Sequence, residues 1–260
     1  MQNKIETKSP KFNQINSQPS IATLTMFKPT QIKNRLQEEV IYTKDQRRRE
    51  RLKEVAENIE VLFTKEQVER GIKTLAQKIF EKHSHNPSVV FLTVLNGGMK
   101  FSSALLNELS ELGWDDFYED TVKYSSYGNH MASLKSSWEL EPKANLLTGR
   151  TVICIDDVMD TGNTAMAVKD KCLELGAKEV EFVTLSNKIS MRKANIHPTF
   201  TYFILEGNKW LIGCGLDQEK SMRNSITIFK LPKAAKENYL KRVEEDKKLD
   251  KADENKLSLN

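Results

Sequence analysis

The sequence predicts an α/β fold with a mostly parallel central sheet, helices on both faces and a small second region. Three observations predict it. Apolar runs of strand length alternate with segments of helical period. The runs are apolar at nearly every position, as in strands buried on both faces. Turns rich in glycine, asparagine or aspartate follow directly after them, and ligands of such sheets bind beyond the carboxyl ends of the strands.

The first helix of the body is predicted over residues 64–80, TKEQVERGIKTLAQKIF. Thr64 and Gln67 have the spacing of a capping box, and Val68, Ile72, Leu75 and Ile79 recur at helical period. The run SVVFLTVL, 88–95, reads as a parallel strand broken by Asn96-Gly97-Gly98. FSSALLNELSEL follows as a helix ending at Gly113, and FYEDTVKY, 117–124, as a further strand. After a polar loop, TVICI at 151–155 is again strand-like. A helix from about 164 to 175 buries Ala165, Val168, Cys172 and Leu175, and Gly176 suits its C-terminal cap. Strands are expected at 179–185, near 201–204 and near 225–229.

Around this body, spanning roughly 57–240, lie two polar extensions. Residues 1–56 are rich in Gln, Asn, Lys and Ser at first and then carry a charged helical candidate. Residues 241–260 are dominated by balanced charges, which suits a solvated helix or an unstructured tail. Over the 260 residues, 40 basic side chains face 36 acidic ones. That near balance calls for no nucleic-acid partner, and Arg47-Arg48-Arg49 reads as a solvated helix face. Cys154, Cys172 and Cys214 lack metal-ligand spacing and sit in apolar surroundings, so buried free thiols are expected. No run has the length of a membrane span or the form of a secretory leader, and a cytoplasmic location is the expectation.

The least ordinary stretch is VICIDDVMDTGNTA, 152–165. An apolar strand leads into Asp156 and Asp157, then Asp160, then Thr161-Gly162-Asn163-Thr164. Two buried unpaired carboxylates would be costly, but at a strand end they can hold hydroxyls or a hydrated cation. The following turn supplies consecutive N–H groups, two hydroxyls and a permissive glycine before a helix, which together make an anion cradle. Neither the Walker nor the dinucleotide glycine spacing is present. An acidic turn with an ordinary N-cap would explain Thr164 alone. Phosphate-ester or sugar-phosphate binding explains the whole stretch.

This segment resembles the phosphoribosyl-pyrophosphate signature of the type I phosphoribosyltransferases, and residues 60–230 resemble the hypoxanthine-guanine members. The resemblance implies the type I phosphoribosyltransferase fold with its small hood. In it, Asp156 and Asp157 address the ribose and metal, Thr161 to Thr164 hold the 5-phosphate, and Asp160 is the catalytic base. Leu95-Asn96-Gly97-Gly98 is similar to the family's pyrophosphate loop, with Asn96 where many members carry lysine. Ser126 and Tyr127, in SSYG, resemble the start of a mobile lid ending near Trp138-Glu139-Leu140.

Lys188 matches the lysine that reads the exocyclic oxygen at purine C6, and a lysine can only donate, which disfavours adenine. Trp210 would stack on the purine, the Leu211 backbone would address its edge, Asp217 would help hold Mg²⁺, and Arg223 would meet pyrophosphate. The implied substrates are a 6-oxopurine and 5-phospho-α-D-ribose 1-diphosphate, with Mg²⁺ as cofactor and a homo-dimer or homo-tetramer as the assembly. A transferase preferring xanthine or another base, or a non-catalytic regulator on the same fold, stays open at this point.

Overall fold

The computed structural model describes residues 46–125, 137–218 and 221–257. The chain enters through α1 (Gln46–Asn58) and the short strand β1 (Glu60–Phe63). Helix α2 (Lys65–His83) begins where its capping box predicts. The Thr64 N–H donates to Gln67 Oε1 at 2.9 Å, and the Gln67 N–H donates to Thr64 Oγ1 at 3.4 Å. Next come β2 (Val89–Val94), α3 (Gly98–Glu111), β3 (Tyr118–Ser125) and β4 (Ser137–Leu140). A short α4 (Ala144–Leu147) precedes β5 (Thr151–Met159), α5 (Asn163–Glu174) and β6 (Glu179–Lys188). The chain closes with β7 (Phe200–Leu205), β8 (Trp210–Ile212), β9 (Ile228–Leu231) and α6 (Lys233–Leu257).

The central sheet has the order β4-β3-β2-β5-β6-β7 and is parallel except for β4, which runs antiparallel to β3 at one edge. Its two faces are covered as the unbroken apolar runs require. Ile153 and Ile155 of β5 join Val68, Leu75, Phe101 and Leu105 of α2 and α3. Val152 and Cys154 point the other way, to Leu147 of α4 and to Val168 and Cys172 of α5. Period-two alternation along one strand therefore feeds two cores. Cys154, Cys172 and Cys214 are buried and free.

Strand β4 was not expected. Trp138 and its neighbours form a strand rather than the tail of an open loop, with the Trp138 ring 4.9 Å from that of Tyr124.

A second, antiparallel sheet of order β1-β9-β8 makes the hood. Leu52, Val55 and Ala56 of α1 pack with Ile212, Phe229 and Leu231 of this sheet and with Ala235 and Tyr239 of α6. The Arg242–Glu54 ion pair, at 3.2 Å, and the Arg51–Asp246 pair join the two helices. No described helix is long and apolar enough to cross a membrane.

Candidate active site

Strand β5 does not stop at the last apolar residue. Parallel pairing with β6 continues as Asp156 opposite Thr184, Val158 opposite Ser186 and Met159 opposite Asn187. The two acids therefore sit on a fixed strand. The Asp157 N–H donates to Asp156 Oδ1 at 3.0 Å, and the Val158 N–H donates to Asp157 Oδ1 at 2.8 Å. Asp157 is buried, and Asp156 is partly open. Burial, then the neighbouring Asp157 charge, pushes Asp156 well above the usual carboxylate range. Burial likewise lifts Asp157 to about 6, against the pull of hydrogen bonds from Asp156 and Val158 and of the Arg223 charge.

Two glycines close around Asp157, and a third packs on β5 just before it. The Leu95–Asn96 peptide is cis, and the loop after it brings Gly97 against the carboxylate. A Cβ on Gly97 would lie 2.7 and 2.8 Å from its two oxygens, and one on Gly98 would lie 2.6 Å from the Ile155 carbonyl. Gly215, with φ +98°, arrives from the hood. A Cβ there would strike the Gly97 carbonyl and come within 2.7 Å of Asp157 Oδ2. Only glycine permits both that φ and that approach.

At the end of β5, Gly162 takes φ +84° and caps α5 without a side chain, while Thr161 Oγ1 accepts from the Asn163 N–H at 3.4 Å. First-turn N–H groups of a helix without a side-chain cap are natural partners for an anion. The turn is braced from behind, because the Lys193 and Ala194 N–H groups donate to the Thr161 carbonyl at 2.8 and 3.1 Å. The helix starts at Asn163, one residue before the predicted Thr164.

Across the cleft, Lys188 is the last residue of β6 rather than a residue beyond it. Its ammonium donates to Asp160 Oδ2 at 2.8 Å. From the hood, the Trp210 indole N–H donates to Gln218 Oε1 at 3.0 Å, and Arg223 pairs with Asp217 at 2.8 Å while donating to the Gly215 carbonyl at 2.6 Å. Lys188, Asp160, Trp210, Asp217 and Arg223 line one cavity of about 460 Å³.

Gly97, Asp156, Asp157, Asp160, Thr161, Gly162, Thr164, Lys188, Trp210, Leu211, Asp217 and Arg223 all line it. Asn96, Gly98 and Asn163 are not in its lining, and Asn96 is exposed. Ser126 and Tyr127 lie outside the described residues.

A family model, the phosphoribosyl transferase domain, matches residues 58–219. The chain belongs to the phosphoribosyltransferase family. It is 28% identical over 182 residues to the hypoxanthine-guanine phosphoribosyltransferase of Aquifex aeolicus, covering 68% of this chain and 98% of that one. The enzyme of the same name from Bacillus subtilis is 27% identical, with 68% and 96% covered. Among solved structures, a hypoxanthine-guanine phosphoribosyltransferase from Bacillus anthracis superposes with a TM-score of 0.58 at 26% identity, covering 66% of this chain and 98% of that one. The hypoxanthine phosphoribosyltransferase of Trypanosoma cruzi, at 21% identity and a TM-score of 0.59 over 66% of this chain and 95% of its own, shares the fold.

In this phosphoribosyltransferase, sequence reasoning missed five polar cavity residues outright: Tyr124, Thr184, Asn208, Lys209 and Lys236. Thr184 is hidden inside an apolar run, and Lys236 comes from a helix beyond the matched region. Gly215 was only part of a quoted motif, although two glycines flanking Cys214 are a visible signal. The acids of the cleft present oxygen donors alone, the kind a hard dication takes. Among the described residues no three Asp, Glu, His or Cys side chains gather into a metal cage.

Proposed function

We propose that this phosphoribosyltransferase moves the 5-phosphoribosyl group from 5-phospho-α-D-ribose 1-diphosphate to a 6-oxopurine, hypoxanthine or guanine, giving IMP or GMP and pyrophosphate. One observation carries the reading. Asp160 and Lys188 meet at 2.8 Å in a cavity also lined by Thr161, Gly162 and Thr164 of the turn before α5 and by Trp210. A proton acceptor and a pure donor thus share one cavity with an anion-binding turn and an aromatic ring.

In this mechanism the turn from Thr161 to Thr164 holds the 5-phosphate with backbone N–H groups at the start of α5. Asp156 and Asp157 orient the ribose hydroxyls. Their raised pKa values mark carboxylates held in poor solvation, which gain most from a positive partner. As the bond from ribose C1 to the diphosphate weakens, the ring becomes that partner, and the pair stabilises it. The backbone around Gly97 and the Arg223 guanidinium receive the diphosphate.

Trp210 stacks on the purine, the Leu211 backbone meets its edge, and Lys188 donates to the oxygen at C6. Asp160 accepts the proton from N7 as N9 bonds to C1. Ser126 and Tyr127 belong to the lid that keeps water from the activated sugar.

Mg²⁺ fits the residues present. It favours one or two carboxylates, retained waters and substrate phosphates over an all-protein cage, and the cleft offers Asp217, Asp156 and Asp157 without a closed cluster. When bound with the diphosphate it neutralises the leaving group. Assembly as a homo-dimer or homo-tetramer belongs to the same reading, and sedimentation at several concentrations tests it.

A product assay with adenine, hypoxanthine, guanine and xanthine decides the function. Turnover of hypoxanthine or guanine, with adenine rejected, is expected. No turnover of any purine overturns the assignment, and turnover confined to xanthine moves it to another base.

A further inference from the structure

The family match ends at residue 219 and begins at residue 58, so α6 lies beyond it and all but the last residue of α1 lies before it. These flanking helices nevertheless meet on one face of β8 and β9. Trp210, the first residue of β8, lines the cavity and also packs on the cluster that Ile212, two residues on and on the same strand face, forms with α1 and α6. Two side chains of α6 reach the indole itself. The Lys236 ammonium stands 5.5 Å from the Trp210 ring centroid, and the Tyr239 ring meets it edge-on at 6.0 Å and 61°.

Lys236 lines the cavity, whereas Tyr239 is buried with Ala235 in the hood core. Together with Gln218 on the indole N–H, they give Trp210 three contacts. Two of those three contacts come from outside the matched domain. A stacking residue grips a base well only when its own rotamer is already held.

We propose that α6 is part of the base half-site, with Lys236 and Tyr239 as positioning residues that hold Trp210 in its stacking orientation. The α1–α6 pair is the buttress that holds α6 against β8. This rests on the reading of Trp210 as the base-stacking residue. Because α6 reaches the indole and not the phosphate turn, its influence is confined to the purine half.

Steady-state kinetics of Lys236→Met, Lys236→Arg and Tyr239→Leu test it, together with near-UV circular dichroism of each variant against its counterpart carrying Trp210→Phe as well. Loss of a cation–π contact of this kind raises KM for the base about threefold. KM for the phosphoribosyl donor and kcat stay near their starting values, and Lys236→Arg restores base KM. The dichroism of the indole at 210 changes in Lys236→Met and Tyr239→Leu. An unchanged base KM, or base and donor KM rising together, overturns the proposal. A wild-type protein that turns over no purine overturns the function instead, and the dichroism then decides the positioning role. An unaltered indole signal ends it, and an altered one supports it.

Discussion

Lys188 and Asp160 form an ion pair at 2.8 Å in which the lysine side chain is 8% exposed and the aspartate 40%. The buried cation is committed to the protein, while the carboxylate still opens to the cavity. Asp160 Oδ2 is held by Lys188, and Oδ1 is buried with no hydrogen-bond partner among the described residues. Under the proposed function, a base that takes a hydrogen bond from Lys188 and gives a proton to Asp160 therefore has to open this pair.

Asp160→Asn keeps the shape and the contact with Lys188 but removes the proton acceptor. Turnover at saturating substrates is expected to fall by about 10² to 10⁴. Affinity for the phosphoribosyl donor should hold, because the contacts proposed for that substrate lie elsewhere. Rapid-quench turnover and donor titration measure the two separately, and unchanged turnover would remove Asp160 from the role of base.

Lys188→Gln replaces a pure donor with a side chain that both donates and accepts. A hydrogen bond from a charged group contributes about 1.5–3 kcal/mol, so kcat/KM for hypoxanthine should drop roughly 10- to 100-fold. Adenine, whose C6 amino group needs an acceptor, should lose less or gain. The ratio of kcat/KM for the two bases reads this directly. An identical ratio in mutant and wild type would dissociate Lys188 from base choice.

Gly215→Ala tests how the hood is locked to the loop at Gly97. The substitution meets a φ of +98° and also the Gly97 carbonyl and Asp157. Gly113→Ala is the control, because its φ is +86° but a Cβ there meets nothing within 4 Å. The control should cost about 1 kcal/mol of stability and leave kinetics alone. Gly215→Ala should cost more than that and raise KM for the donor, since the loop must move. Thermal unfolding and donor KM, measured on both variants, give the comparison. Equal effects would mean that crowding at Gly215 plays no part.

Much of this site was legible because it is made of local strings. Apolar runs located β2, β5 and β6, and the strand-to-helix turn after β5, which lines the cavity, stood out in 152–165. What the sequence hid has two physical causes. Polar residues that continue a strand look like its end, so β5 and β6 were read as stopping at residues 155 and 185. In fact their pairing runs on to Met159 and Asn187, with Lys188 as the last strand residue. Contacts between distant segments leave no local pattern either. Nothing around Lys236 points to Trp210, and nothing around Leu52 of a charged helix points to Phe229.

The acidic pair carries a stability cost with a defined pH window. Asp157 has its folded-state pKa raised from 3.8 to about 6 by burial. An acid with a raised folded pKa binds its proton more tightly in the native state, so stability falls as pH rises between the two values. Below about pH 4 the group is protonated in both states and costs nothing, and above about pH 6 the native state carries the full cost of a buried anion. Asp157→Asn removes that anion, and its amide oxygen can still accept from the Val158 N–H. In metal-free buffer the variant should therefore unfold at a higher temperature than wild type at pH 7.5. The gain should be worth at most about 3 kcal/mol and should vanish near pH 4. The same variant should lose turnover, because the charge that destabilises the empty cleft is the one available to a cationic ribose. Thermal melts at pH 4.5, 6 and 7.5 check the first half. A gain that does not depend on pH would show that packing, rather than ionisation, sets the cost of Asp157.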